Sequence, residues 1–230
     1  MTGPIPPELG SLGNLTSLYL YSNQLSDEIP SSFVNLINLI PFFANIGYNM
    51  LTAPGAVATF FDDKDSDWAD TQTVPPSNLA VGWVDTTSVQ IIWVPIPYTG
   101  DGGFYRVKYA TSPGGPYTEA GTTADKSASK FTVTDLDPAI TYYFVAETFT
   151  PANGNNQNDL TSPLSAEISA TTLHEGEGGE NLADAVHILQ ILAGNAEAAP
   201  NVTLDADFNN DGRLGLEDVI YILRVVSQTP

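Results

Sequence analysis

The sequence predicts a multidomain, mainly β chain: a short solenoid piece, a β-sandwich and a small all-α module at the C-terminal end. Three observations predict it. Leucines recur with a 24-residue period over residues 1–73. Short alternating strands follow one another over residues 74–172 at the spacing of all-β domains. Over residues 173–230 two loop-plus-helix units repeat 34 residues apart.

In the first segment, Leu12, Leu15, Leu18, Leu20, Asn23 and Leu25 are followed by Ile29-Pro30 and Leu36. The leucines point inward from a short strand and the turn after it, and Asn23 is placed to hydrogen-bond backbone along the stack. Met1 aligns with Leu25, Ile5 with Ile29, Leu9 with Phe33 and Leu12 with Leu36. This pattern resembles the plant-type leucine-rich repeat, which bacteria also carry. The next unit slips: Asn49 and Leu51 fall two residues later than the period requires, and Pro41 interrupts the strand position. Residues 53–73, with Phe60, Phe61 and Trp68, are expected to cover the open end of the stack. About two repeats are too few to close a solenoid core, and Met1 sits at a repeat leucine position. The expectation is therefore a chain truncated at its N-terminus, lacking most of the concave binding face.

Pro75-Pro76 opens the second segment. Val89-x-Ile91-x-Trp93, Phe131-x-Val133 and Tyr142-x-Phe144-x-Ala146 alternate, Phe104-x-x-Val107 does so loosely, and residues 165–172 close the sheet. Glycine-rich clusters at 99–103 and 112–116 supply the turns. The segment resembles a fibronectin type III domain. That resemblance matches Trp93 to the core tryptophan of the second strand, and Leu136-x-Pro138-x-x-x-Tyr142 to the tyrosine corner. Trp93, Tyr142 and Phe144 read as core, whereas spacing leaves the faces of Tyr98, Tyr105, Tyr117 and Tyr143 open. The loop Asn153-Gly154-Asn155-Asn156 carries no readable site, so the domain reads as a spacer.

The third segment contains Asp207-Phe-Asn209-Asn-Asp211-Gly212-Arg213-Leu-Gly215-Leu-Glu-Asp218. Oxygen donors at its first, third, fifth and twelfth positions, with glycine at the sixth, fit a calcium loop. A hard cation takes about 6–8 oxygens, and a twelve-residue turn can gather them around one point. Asp207, Asn209, Asp211 and Asp218 are the candidate side-chain ligands; Arg213 offers its carbonyl and Gly215 room for a water. Leu216, Val219, Ile220, Leu223 and Val226 then share one helix face, as do Leu182, Ala185, Val186, Leu189 and Leu192 in the earlier copy. The pair resembles a type I dockerin, a calcium module. The resemblance implies docking to a cohesin-like protein partner in assemblies that degrade polysaccharide. The earlier loop, residues 173–184, departs from the pattern: leucine stands at its first position, leaving Glu175, Glu177 and Asp184 as weaker donors. The positions through which dockerins commonly read a partner are Leu216-Glu217 and Leu182-Ala183 here, not the hydroxyl residues usual there.

Composition narrows the function. The net charge of −20, from 27 acids and 7 bases spread along the chain, repels nucleic acid and anionic membrane and attracts divalent cations. Cysteine is absent, which removes disulfides and thiolate chemistry. No apolar run is long enough to span a membrane, and the start of the chain has neither the charge nor the core of a signal peptide. His174 and His187 lack companions at ligand spacing, and neither a nucleophile motif nor a phosphate-binding glycine loop is present. These features predict no catalytic residues, no organic cofactor and Ca²⁺ as the bound ion. The expected protein is an extracellular or cell-surface, bacterial, modular interaction protein. The alternative is the accessory C-terminal part of a secreted polysaccharide hydrolase.

Overall fold

The computed structural model describes residues 1–173, Leu189 and residues 215–228. Two compact units divide it: Met1–Gly82, Gln90–Val133 and Tyr142–Ser169 form the first, and Trp83–Val89, Thr134–Thr141 and the described residues from Ala170 on belong to the second. The described chain is mainly β.

Five short strands open the first unit: β1 (Thr2–Pro4), β2 (Leu18–Tyr19), β3 (Gln24–Glu28), β4 (Ala44–Asn45) and β5 (Met50–Thr52). β1, β3 and β5 pair in parallel, with Gly3 opposite Leu25 and Asp27 opposite Leu51. β2 and β4 make a second parallel pair, Leu18 opposite Ala44. Parallel pairing of strands that follow one another this closely is what successive coils of a stack produce. Each coil also carries a 3-10 turn, Pro7–Ser11 and Ser31–Asn35. Gly10 lets those turns stack: a Cβ there would lie 2.3 Å from Ser32 Oγ, which itself donates to the Pro7 carbonyl at 2.7 Å.

The slip in the repeat has a definite location. Leu36 and Leu39, both buried, follow Leu12 and Leu15 in period, whereas Ala44, Asn49 and Leu51 occupy the places of Leu18, Asn23 and Leu25 two residues late. The surplus is taken up at Ile40-Pro41-Phe42-Phe43, all exposed, with Phe42 at φ +64°. Proline cannot donate to a strand ladder, so β4 begins beyond it.

Asparagines bind coil to coil. Asn49 is fully buried; its Nδ2 donates to the carbonyls of Leu20, Ile46 and Gly47, and its Oδ1 accepts the Leu25 N–H at 3.0 Å. Asn23 donates to Leu20 and Tyr21. Gln72 repeats the device in the covering unit: Oε1 accepts the Leu51 N–H at 2.9 Å and Nε2 donates to the carbonyls of Ile46 and Trp68.

That covering unit is built on α1 (Gly55–Lys64). Val57 and Phe61 enter the core with Trp68, and Phe61 lies 6.0 Å from the Phe33 ring and 6.3 Å from Trp68. Trp68 keeps its indole N–H satisfied on Asp62 at 3.1 Å. Asp65, also buried, accepts the Ile46 N–H at 2.7 Å.

Eight strands follow: β6 (Ser77–Val84), β7 (Val89–Val94), β8 (Phe104–Ala110), β9 (Thr118–Thr122), β10 (Lys130–Val133), β11 (Thr141–Thr150), β12 (Leu160–Thr161) and β13 (Ile168–Thr171). One sheet orders β10-β7-β6; the other orders β12-β11-β8-β9, with β13 also paired to β11. Val89, Ile91 and Trp93 alternate inward on β7, as do Tyr142, Phe144 and Ala146 on β11. Trp93 meets Tyr105 across the two sheets, ring to ring at 5.3 Å. On β8 the inward residues are Tyr105 and Val107, which settles Tyr105 as core and removes Phe104 from it. Phe104 stacks instead with Phe149, 5.0 Å away on β11. Tyr98 is buried too, while Tyr117 and Tyr143 stay half-exposed.

Within the second unit, the Leu136 N–H donates to the Thr87 carbonyl, and the Thr172 hydroxyl to that of Asp137 at 2.7 Å. Leu173, first position of the earlier loop in the sequence reading, is tied to Asp85 and Ala139 by main-chain hydrogen bonds. It finishes the sandwich rather than starting a separate module. The last element is α2 (Leu216–Gln228).

Candidate functional site

Of the predicted calcium ligands, Asp207, Asn209, Asp211 and Arg213 lie outside the described residues, as do Glu175, Glu177 and Asp184 of the earlier loop. Asp218 is described. It stands third in α2 and is buried to 1% exposure, and its Oδ2 accepts the Gly215 N–H at 2.6 Å. An acid at this position reaching back to the residue before the helix satisfies one of the helix's orphan donors. Negative charge is also favoured there by the helix dipole. The last ligand of the predicted loop is thus a buried carboxylate fixed at a helix start. Along the rest of the helix Val219 is buried, while Leu216, Ile220, Tyr221 and Leu223 are 42–59% exposed. Among the described residues, no group of three or more Asp, Glu or His side chains gathers at a metal-binding separation. Nor is any helix among them long and apolar enough to cross a membrane.

A second cluster was not legible in the sequence. Lys126 is fully buried, its ammonium donating to Thr150 Oγ1 at 3.0 Å and lying 3.9 Å from the centre of the Tyr98 ring. Thr150 Oγ1 also takes a hydrogen bond from Thr73 at 2.8 Å. The Tyr105 hydroxyl accepts the Ile96 N–H and donates to the Lys126 carbonyl, both at 2.9 Å. Burial pulls the Lys126 amine down to about 8, against the opposing pull of Asp101. Asp101 accepts the Tyr98 hydroxyl and Asn155 Nδ2, which holds its carboxyl below the usual range. Tyr98 is pushed up, by burial first and by Asp101 second.

An amine of lowered pKa is a candidate nucleophile in an open cleft. With no part of Lys126 reaching solvent, no substrate meets it, and its role is architectural. The same holds for the polar loop beside it. Asn156 is 2% exposed and donates from Nδ2 to the carbonyls of Asn23 (3.1 Å) and Tyr48 (2.8 Å). Gln24 reaches the Asp159 carbonyl at 3.1 Å, Thr148 the Val74 carbonyl at 2.7 Å, and Tyr48 packs edge-on against Tyr98. Loop 153–156 therefore seals the coil stack onto the sandwich.

No family model matches the chain, and no curated protein matches its sequence. Solved structures match part of it. A multidomain segment of titin aligns at 19% identity and a TM-score of 0.35, over 44% of this chain and 32% of that one. An Fn3-like protein from Clostridium thermocellum aligns at 23% identity and a TM-score of 0.33, over 42% and 90%. The fibronectin type III domain of human fibronectin type III domain containing protein 3 aligns at 17% identity and a TM-score of 0.35, over 46% and 93%. This chain thus spans about a third of the titin segment and about nine-tenths of the other two. The sandwich itself stands on its strand pairing and on the contact of Trp93 with Tyr105.

Proposed function

We propose that the chain is a non-enzymatic, extracellular, calcium-binding interaction protein. In this reading a dockerin-like end docks to a cohesin-like partner, a fibronectin type III-like sandwich carries it, and leucine-rich coils stand in front. One observation carries the proposal. The twelve-residue spacing of oxygen donors ends on Asp218, a buried carboxylate held at the start of an amphipathic helix. Every donor in the set is an oxygen, as a hard cation requires. Asp207, Asn209, Asp211 and Asp218 would hold the ion through side chains and Arg213 through its carbonyl. The ion would supply a fixed charge that draws the loop onto the helix end. The exposed Leu216, Ile220 and Leu223 are what a docking partner would cover. Support for leucine-rich coils comes from the parallel strands and the buried Asn49 ladder.

Calorimetry and far-ultraviolet circular dichroism of the whole chain test this reading. Calcium should bind with measurable heat and increase the helix signal, because an ion that binds only the folded state stabilises it, by about 2.7 kcal/mol at a hundredfold excess over Kd. Asp207→Ala should abolish most of the response and Glu175→Ala little of it. Unchanged ellipticity together with no heat would sink the proposal.

A further inference from the structure

The two coils give an internal comparison, because the same repeat positions occur with and without a neighbour. Leu36, Phe33 and Leu39 in the second coil are 0–1% exposed, covered by the first coil and by the unit built on α1. Their counterparts in the first coil are Leu12, 48% exposed, and the half-buried Leu9 and Leu15. Met1 is 66% exposed, where its repeat counterpart Leu25 is at 5%. The outward end of the first coil therefore has the same side-chain design as a face that is buried one coil later. Its backbone is equally open. β2 bonds to β4 through the N–H groups of Leu18 and Leu20, so by strand alternation those of Tyr19 and Tyr21 turn to the outer edge. An uncovered strand edge of this kind is a template for another strand.

We propose that this end of the coil stack is a self-association surface, where a second copy of the chain packs edge to edge about a two-fold axis. The occupant follows from charge. The chain carries −20, and like-charged copies repel one another over most of their surface. Residues 1–26, which make up the first coil, contain Glu8 as their one charged side chain. Two such ends can meet without bringing acids together, and interface cores are depleted of charge for this reason. A two-fold axis gives each copy what the other offers: Leu12 and Met1 against their equivalents, and β2 antiparallel to β2, a pairing the backbone permits.

Sedimentation velocity of the full chain over about 1–100 µM, at salt that screens residual repulsion, reads the proposal directly. The mass should rise with concentration from 24.5 kDa to twice that value. Leu12→Glu should weaken the dimer at least tenfold without changing the circular dichroism, since half of that side chain already meets water. Ile37→Glu, at a residue 79% exposed on the second coil, should leave the dimer intact. A monomer at all concentrations overturns the proposal, as does a dimer indifferent to Leu12→Glu or equally weakened by Ile37→Glu. A monomer whose Tm rises when one more 24-residue coil is fused to its N-terminus also overturns it, giving the surface to a coil of the same chain.

Discussion

Asn49→Ala is the most informative single substitution in the coil stack. A count of its hydrogen bonds overstates the damage, because most of its partners have a second source. The Leu20 carbonyl keeps Asn23, the Ile46 carbonyl keeps Gln72, and the Gly47 carbonyl keeps the Ser22 N–H. The Leu25 N–H is bonded to Asn49 Oδ1 and would be orphaned in the buried interior. An unsatisfied buried donor costs about 1–3 kcal/mol, and the void left by the carboxamide roughly 1 kcal/mol more. The loss should be about 2–4 kcal/mol, or roughly 5–15 °C in Tm for a protein of this size. Asn23→Ala removes the equivalent residue of the previous coil, but Asn23 is half-exposed and its Oδ1 faces only the N-terminal ammonium. Water replaces those bonds, so that variant should lose less than about 1 kcal/mol. Urea unfolding followed by tryptophan emission measures both, through Trp68 in the stack core. Equal losses from the two variants, or a loss below about 1 kcal/mol for Asn49→Ala, would refute the reasoning.

Asp65 and Lys126 make stability depend on pH in opposite directions. Burial, then Asp67, raises the Asp65 carboxyl to about 6, above the ~3.9 of a free aspartate. The folded state binds that proton more tightly, so the stabilisation is present below about pH 4 and is lost as pH rises through 6. Asp65→Asn keeps an acceptor for the Ile46 N–H and should melt higher than the parent at about pH 7.5, with the difference vanishing near pH 4. For Lys126 the folded value of about 8 lies below the ~10.4 of a free lysine. The unfolded chain binds the extra proton between them, so stability should rise with pH over that window. Lys126→Met should flatten the rise in urea midpoint between about pH 8 and 10; an unchanged slope would assign it to another group.

Much of the fold was legible because apolar periodicity reports directly on which side of the backbone is buried. The leucine positions, the alternation on β7 and β11 and the cover over the stack end all came from that signal. It failed on β8, where Phe104 and Val107 are three apart and cannot both face inward on a regular strand. Gln72 escaped notice because its role depends on three backbone groups converging in space, and no spacing in the sequence reports that. The seam at Asn156 was hidden for the same reason: its partners Asn23 and Tyr48 lie more than a hundred residues earlier. The acids, evenly spread when counted by segment, include five between Asp62 and Asp70, at and just beyond the end of α1. Of the candidate ligands, Asp218 is now placed, as a buried carboxylate at a helix start.

The asparagine ladder gives the stack a direction in time. The Leu25 N–H finds its acceptor on Asn49, 24 residues later, and the Leu51 N–H finds its own on Gln72, 21 residues later. At about 5–20 residues per second, each coil leaves the ribosome a second or more before the side chain that completes it. A nascent first coil thus carries an open amide that only translation of the next coil can close. A ribosome stalled between residues 36 and 48 should hold a protease-sensitive chain, and one stalled far enough on to release Gln72 from the exit tunnel should hold a resistant one.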